Sequence, residues 1–246
     1  MEKKQVSFKV DGHVMTVTID NKETKNGLNW EGIEQFAECY AYAAEHEEIR
    51  VMVITGNDQY FYTGGRVDAT VPGEKEKYAD AIEKLTALQD ANQVPVVAAV
   101  SGDCLKAGMG LLAESDFAVA CEGTEFGFPE VRMGGAPMMV MAETIDAMPK
   151  KKALEAYYTS WNFSAKEALE MGLLNAVVSR EDFQSEVDKY VNVFLNTPKP
   201  LISITRKAYV EMAKAEDIKS RRQIAMRMLR EEVLTTMAKT KTSYNV

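Results

Sequence analysis

The chain has 246 residues, 46% hydrophobic and 27% charged, which suits one large domain, or a domain with a helical appendage, better than two equal domains. Its 37 acidic residues against 29 basic ones give a net charge of −8. That balance argues against nucleic acid or an anionic membrane as a partner, but not against a small anionic ligand held by a local basic patch. Cys39, Cys104 and Cys121 sit in apolar contexts without metal-ligand spacing and read as buried thiols of a reducing compartment. No apolar run approaches the roughly 20 residues of a membrane span. The first residues lead straight into a polar/apolar alternation rather than a signal peptide, so a cytoplasmic protein is expected.

In chain order, residues 6–10 and 14–19 alternate around Asp11-Gly12 and predict a hairpin. Residues 21–29 (NKETKNGLN) read as a loop. Residues 30–47 place apolar side chains at 33, 36, 37, 40, 41 and 44, a helical period. A strand at 49–55 and a loop at 58–68 (DQYFYTGGRVD) come next, then an amphipathic helix over 75–93. Residues 94–116 (VPVVAAVSGDCLKAGMGLLAESD) carry the strongest local pattern in the chain. An apolar, β-branched strand at 95–100 breaks at Ser101-Gly102-Asp103. Small residues 107–110 then lead into a buried helix whose first turn is 111–113. Such a turn brings unpaired N–H groups of a helix start within reach of a ligand oxygen. Taken alone, it is better read as a tight crossover whose glycines serve packing.

Apolar strands are expected at 117–121 and 124–128, a loop at 129–136, and helix at 137–148 and 150–158. Ser164 with Glu167 forms a capping box for a helix at 165–171, which Gly172 closes. Residues 174–178 are the last expected strand, residues 181–196 are helical, and beyond Pro198 and Pro200 only helix is expected. The pattern predicts an α/β core over 1–197 and a helical region over 198–246. No G-x-G-x-x-G follows the early strands and no Walker-type lysine is present, which weakens nucleotide binding.

Five segments, in order, resemble the crotonase superfamily, the enoyl-CoA hydratase/isomerase group: NKETKNGLN, VMVITGNDQYFYTGG, PVVAAVSGDCLKAGMG, TEFGFPEVRMGGAP and SAKEALEMGLLNAVV. The resemblance implies a crotonase-like spiral of ββα units with a C-terminal all-helical trimerisation region, and a homotrimer or dimer of trimers. It implies an acyl-CoA thioester as substrate, with an acyl-carrier protein as the other possible thiol. No metal or redox cofactor is implied, coenzyme A being part of the substrate. By motif position the amides of Gly65 and Ala107 would hold the thioester oxygen and stabilise an enolate, the arrangement that developing negative charge demands. Glu130 would be the proton-transfer carboxylate. Each residue has a plainer reading, as a turn glycine, a helix start or a solvated loop glutamate.

The departures from the pattern are informative. Gly110 stands where the hydratases carry their first glutamate. One carboxylate suffices to move a proton between two carbons, whereas hydration also needs water held and activated, so isomerisation is favoured. Glu114, one turn beyond Gly110, is either a substitute or a structural helix glutamate. Lys106 replaces a usual first glycine and Arg66 an Asp; each meets an anionic substrate group or is solvated. Lys25, Gly64 and Gly108 are expected to line the CoA and oxyanion loops, with Lys239 and Lys241 as further phosphate candidates. Tyr60, Tyr62 and the methionines 109, 133, 138, 139 and 141, with Met133 foremost, either line an acyl pocket or fill a core. Neither His13 nor His46 falls in a motif. Alternatives are plain hydration, decarboxylation of a glutaconyl-type thioester, or a catalytically degenerate binding protein.

Overall fold

Residues 4–240 are described by the computed structural model. Two mostly parallel sheets are laid down together by a repeating strand–strand–helix unit. The chain enters through the antiparallel hairpin β1 (Val6–Asp11) and β2 (Val14–Ile19), followed by α1 (Trp30–Glu45). The first repeat is β3 (Val51–Thr55), β4 (Tyr60–Tyr62) and α2 (Glu74–Ala91). The second is β5 (Val96–Val100), β6 (Asp103–Leu105) and α3 (Ala107–Glu114). The third is β7 (Phe117–Cys121), β8 (Glu125–Gly127) and α4 (Met138–Thr144). After these come α5 (Lys150–Thr159), β9 (Phe163–Ser164), α6 (Ala165–Glu170), β10 (Ala176–Val178) and α7 (Phe183–Asn196).

The first strand of each repeat joins a six-stranded sheet of order β1-β2-β3-β5-β7-β10, and the second joins a four-stranded sheet of order β4-β6-β8-β9. Each repeat therefore advances both sheets by one strand, and this is the spiral expected from the family resemblance. β5 is buried along its whole length, as its unbroken run of Val and Ala requires of a central parallel strand. Met15, Ile19, Met52, Ile54, Phe61 and Phe126 are among the fully buried side chains of the core.

The structure departs from the sequence expectations at short elements. Residues 60–62 and 103–105, expected as loop and strand break, are the strands β4 and β6. Helix α3 begins at Ala107, a turn earlier than expected, so the small residues 107–110 are its first turn. The capping box is present as expected: Ser164 Oγ accepts from Glu167 N–H and the Glu167 carboxylate accepts from Ser164 N–H. The chain divides into two compact units between Asn192 and Val193. The second unit contains α8 (Lys199–Ala213), α9 (Ile218–Met228) and α10 (Leu234–Thr240), with a π-helical turn at Leu229–Val233.

Candidate active site

Because β4, β6 and β8 are parallel neighbours, the segments leaving their C-terminal ends emerge side by side, about 4.8 Å apart. These segments are Thr63-Gly64-Gly65, Lys106-Ala107 and Phe128-Pro129-Glu130. Three residues far apart in sequence, Gly65, Ala107 and Glu130, are gathered at one edge in this way. Crevices beyond the carboxyl ends of strands are where open α/β sheets place ligands.

The first segment is pinned by Leu28, whose N–H donates to Gly64 O at 3.0 Å and whose carbonyl accepts from Arg66 N–H at 2.7 Å. Strand alternation turns the N–H of the intervening Gly65 to the opposite side. The second segment ends at Ala107, the first residue of α3, whose N–H has no acceptor within its own helix. Among the described residues, no loop carbonyl accepts from either amide. Gly64 holds the two segments together: its φ is +89°, and a β-carbon there would stand 2.6 Å from Lys106 Cβ and 3.3 Å from Ala107 N. Lys106 takes φ +52°, ψ −126°, a glycine-type conformation that costs a larger residue about 1–3 kcal/mol. Its N–H donates to Gly127 O at 3.1 Å, tying β6 to the end of β8.

Glu130 opens a 3-10 turn, Val131–Met133, and its carbonyl accepts from Met133 N–H at 3.0 Å and Gly135 N–H at 2.8 Å. Its side chain is half-buried, and Oε2 is buried without a hydrogen-bond partner among the described residues. Burial pushes the Glu130 carboxyl up, opposed by its own backbone hydrogen bond and by the Lys106 charge. Lys106, expected to meet substrate or solvent, thus acts on Glu130.

An apolar cavity of about 70 Å³ opens beside Ala107. Its wall includes Ile33, Phe36, Leu85, Leu111 and Val140, together with Tyr62, Tyr78, Met139 and two carboxylates, Glu114 and Glu143. A β-carbon on Gly65 would overlap the Tyr78 hydroxyl, so that phenol lies against Gly65. Burial raises both Tyr62 and Tyr78 and keeps them neutral.

Sequence reasoning missed Glu143 entirely. A β-carbon placed on Gly110 would overlap Glu143 Oε2. Thus the space beyond Gly110, expected to lack a carboxylate, contains one supplied by α4. Glu114 lines the same cavity from an exposed position and does not fill that space. Burial, helped by the Glu114 charge, pushes Glu143 up to about 7. A glutamate at position 143 gave no signal, because the packing that brings it to Gly110 is tertiary and spans 33 residues of sequence.

The remaining expected residues are placed as follows. Gly108 packs where a β-carbon would overlap the Tyr62 carbonyl oxygen. Lys25 is exposed, with its ammonium 5.9 Å from the Tyr60 ring centroid, and its carbonyl accepts from Thr63 Oγ1 at 2.7 Å. Arg66 is exposed and lays its methylenes over Gly27. Of the five methionines expected to line a pocket or fill a core, Met139 lines this cavity and Met109 is fully buried in the core, whereas Met133 and Met138 are 64% and 61% exposed and outside this lining. The side chains of Lys239 and Lys241 lie outside the described residues.

The enoyl-CoA hydratase/isomerase family model matches residues 9–244. The chain belongs to that family, as its spiral fold and its paired small-residue loops at the strand ends indicate. It is 26% identical over 215 residues to the mitochondrial enoyl-CoA hydratase domain-containing protein 3 of Danio rerio, covering 84% of this chain and 73% of the relative. It is 26% identical over 205 residues to a carnitinyl-CoA dehydratase of Salmonella agona, covering 81% and 77%. The human enoyl-CoA hydratase domain-containing protein 3 shares the fold with a TM-score of 0.86 at 21% identity, covering 98% of this chain and 99% of that one. A Thermobifida fusca protein solved in complex with CoA has a TM-score of 0.84 at 19% identity, covering 96% and 95%. No helix among the described residues is long and apolar enough to cross a membrane.

Proposed function

We propose that this protein forms and quenches the enolate of an acyl-CoA thioester, and that its reaction is double-bond isomerisation. The observation that carries this reading is the unpartnered, buried Oε2 of Glu130 at the same sheet edge as the Gly65 and Ala107 amides. The thioester oxygen would accept from both N–H groups, each such donor contributing about 3 kcal/mol once charge develops on that oxygen. The Ala107 amide gains further from its place at a helix start. With the enolate stabilised, the α-proton becomes acidic enough for a carboxylate to remove. Lys106 opposes the rise that burial imposes on Glu130 and so favours the ionised, basic form.

The cavity supports isomerisation over hydration. Its wall is mostly apolar, which suits an acyl chain better than an attacking water. Lys25 and Arg66, exposed on the loops flanking Gly64, are the proposed contacts for the phosphates of CoA. Association into trimers belongs to the same reading.

The test is hydrogen exchange at the α-carbon of 3-hexenoyl-CoA in heavy water. Wild-type protein should exchange that proton, and Glu130→Gln should slow exchange by at least about 100-fold, the usual scale for a lost general base. Thioester binding without exchange in the wild type would overturn the enzyme reading and leave a binding protein. Release of carbon dioxide from a glutaconyl thioester, with no double-bond migration in 3-hexenoyl-CoA, would replace isomerisation by decarboxylation.

A further inference from the structure

Residue 110 is glycine and contributes no side chain to the cavity, yet the volume just beyond its α-carbon is filled by the carboxylate of Glu143. Gly110 lies three residues after Ala107 on α3, hence on the same face and about 4.5 Å further along the axis. A carboxylate against Gly110 is therefore one helical turn from the amide assigned to the thioester oxygen. Glu143 and Ala107 share the wall of one cavity, which Glu130 does not line.

Glu143 is also held as a functional group rather than as half of an ion pair. Among the described residues it has no salt-bridge or hydrogen-bond partner. The other titratable groups on this cavity wall are Glu114 from α3, Tyr62 from β4 and Tyr78 from α2, none of them cationic. Its backbone is fixed from behind. The neighbouring Thr144 is fully buried, and its hydroxyl pairs with Tyr157 Oη at 2.7 Å. The Tyr157 ring packs edge-on against Phe128, two residues before Glu130, at 4.9 Å between centroids. Both carboxylates are thus positioned by one buried aromatic pair.

We propose that Glu143 is a second catalytic carboxylate, delivered by α4 to the place on α3 that residue 110 leaves empty, and that it donates the proton to the γ-carbon, the far end of the substrate's double bond. The inference rests on the enolate reading above. In the step concerned, Glu130 as carboxylate takes the α-proton of a β,γ-unsaturated thioester, and the C–H electron pair flows into a dienolate whose charge sits on the thioester oxygen. Glu143 as carboxylic acid then gives its proton to the γ-carbon while the electrons return to form the α,β double bond. One proton leaves carbon and one arrives, and the two carboxyl groups re-equilibrate with solvent. Burial among apolar groups beside Glu114 keeps Glu143 protonated to higher pH than an ordinary carboxyl, as a donor requires.

The experiment follows 3-hexenoyl-CoA in heavy water by NMR, reading deuterium at the α- and γ-carbons separately. Glu143→Gln should keep α-exchange within about threefold of wild type and slow γ-deuteration and double-bond migration by at least 100-fold. Transplanting the carboxylate in the double variant Gly110→Glu with Glu143→Ala should restore at least a tenth of the γ-deuteration that Glu143→Ala alone loses. Migration that survives Glu143→Gln at more than a third of the wild-type rate, with α-exchange intact, overturns the role of Glu143 and leaves the enolate reading standing. Loss of α- and γ-labelling together in a Glu143→Gln protein that unfolds no lower than wild type also overturns it. Wild-type protein with no α-exchange overturns the enolate reading and this inference together.

Discussion

Two residues show how local chemistry reaches beyond its own loop. Asn26 is fully buried with φ +59°, and its amide nitrogen donates to Ile19 O at 2.8 Å and Tyr60 O at 2.7 Å. Its side-chain oxygen accepts from Asn21 N–H at 2.8 Å and Asn57 Nδ2 at 2.9 Å. This one amide joins the 21–29 loop to β4, the strand that leads into Gly64-Gly65. Asn26→Ala should cost about 2–4 kcal/mol in urea unfolding, because several buried groups lose their partner together. Glu143 has a different signature. Its ionised form is disfavoured in the native state, so the folded protein holds a proton that the unfolded chain releases between the ordinary carboxyl value of 4.5 and about 7. Stability therefore falls as pH rises through that window and levels off above it. Glu143→Gln removes the penalty, and should be more stable than wild type at pH 8 by on the order of 1–3 kcal/mol, seen as a higher unfolding temperature, with little difference at pH 4. Equal melting differences at both pH values would contradict a raised carboxyl at this position.

At the scale of elements, α4 decides the second carboxylate. Its seven residues, Met138–Thr144, have no side-chain N-cap, and Thr144 spends its hydroxyl on Val140 O and Tyr157 Oη rather than on a surface contact. Tyr157→Phe removes one of these bonds at a cost of about 1–2 kcal/mol. It should slow the Glu143-dependent γ-deuteration more than the Glu130-dependent α-exchange, and comparing the two labelling rates in one spectrum checks this. The sequence was a good guide to elements with a long period or a local cap: α1 by its apolar spacing, β5 by its unbroken Val/Ala run, and α6 by Ser164 and Glu167. It was a poor guide to β4 and β6, which have three residues each, too few for an alternation to register. Gly65, Ala107 and Glu130 were nominated by the resemblance of their segments to the family's, and the parallel order of β4, β6 and β8 brings those segments to one sheet edge. Glu143 was not legible, since nothing about a single helical glutamate foretells that a distant glycine has left it room.

At the scale of the molecule, the candidate site is a consequence of the spiral, and the proposed reaction should depend on the second sheet more than on the first. Gly65, Ala107 and Glu130 each follow one of three adjacent strands in the four-stranded sheet, and their spacing is the strand spacing. A void in that sheet should move the donors relative to the base. An equal void in the hairpin at the far end of the other sheet should only lower stability. Phe126, fully buried in β8 and paired in register with Cys104 of β6, is the residue to truncate. Met15, fully buried in β2, is the control. Phe126→Ala should destabilise by about 3–5 kcal/mol and Met15→Ala by about 2–5 kcal/mol, losses of similar size. Measured well below both unfolding transitions, kcat for isomerisation should fall at least tenfold in Phe126→Ala and stay within twofold of wild type in Met15→Ala. Misplacing a reacting group by about 1 Å can cost about 100-fold in rate, so a partial collapse of β8 is enough to produce the difference. Equal kcat losses in the two variants would mean that the donors and Glu130 are positioned by the core as a whole and not by the register of β4, β6 and β8.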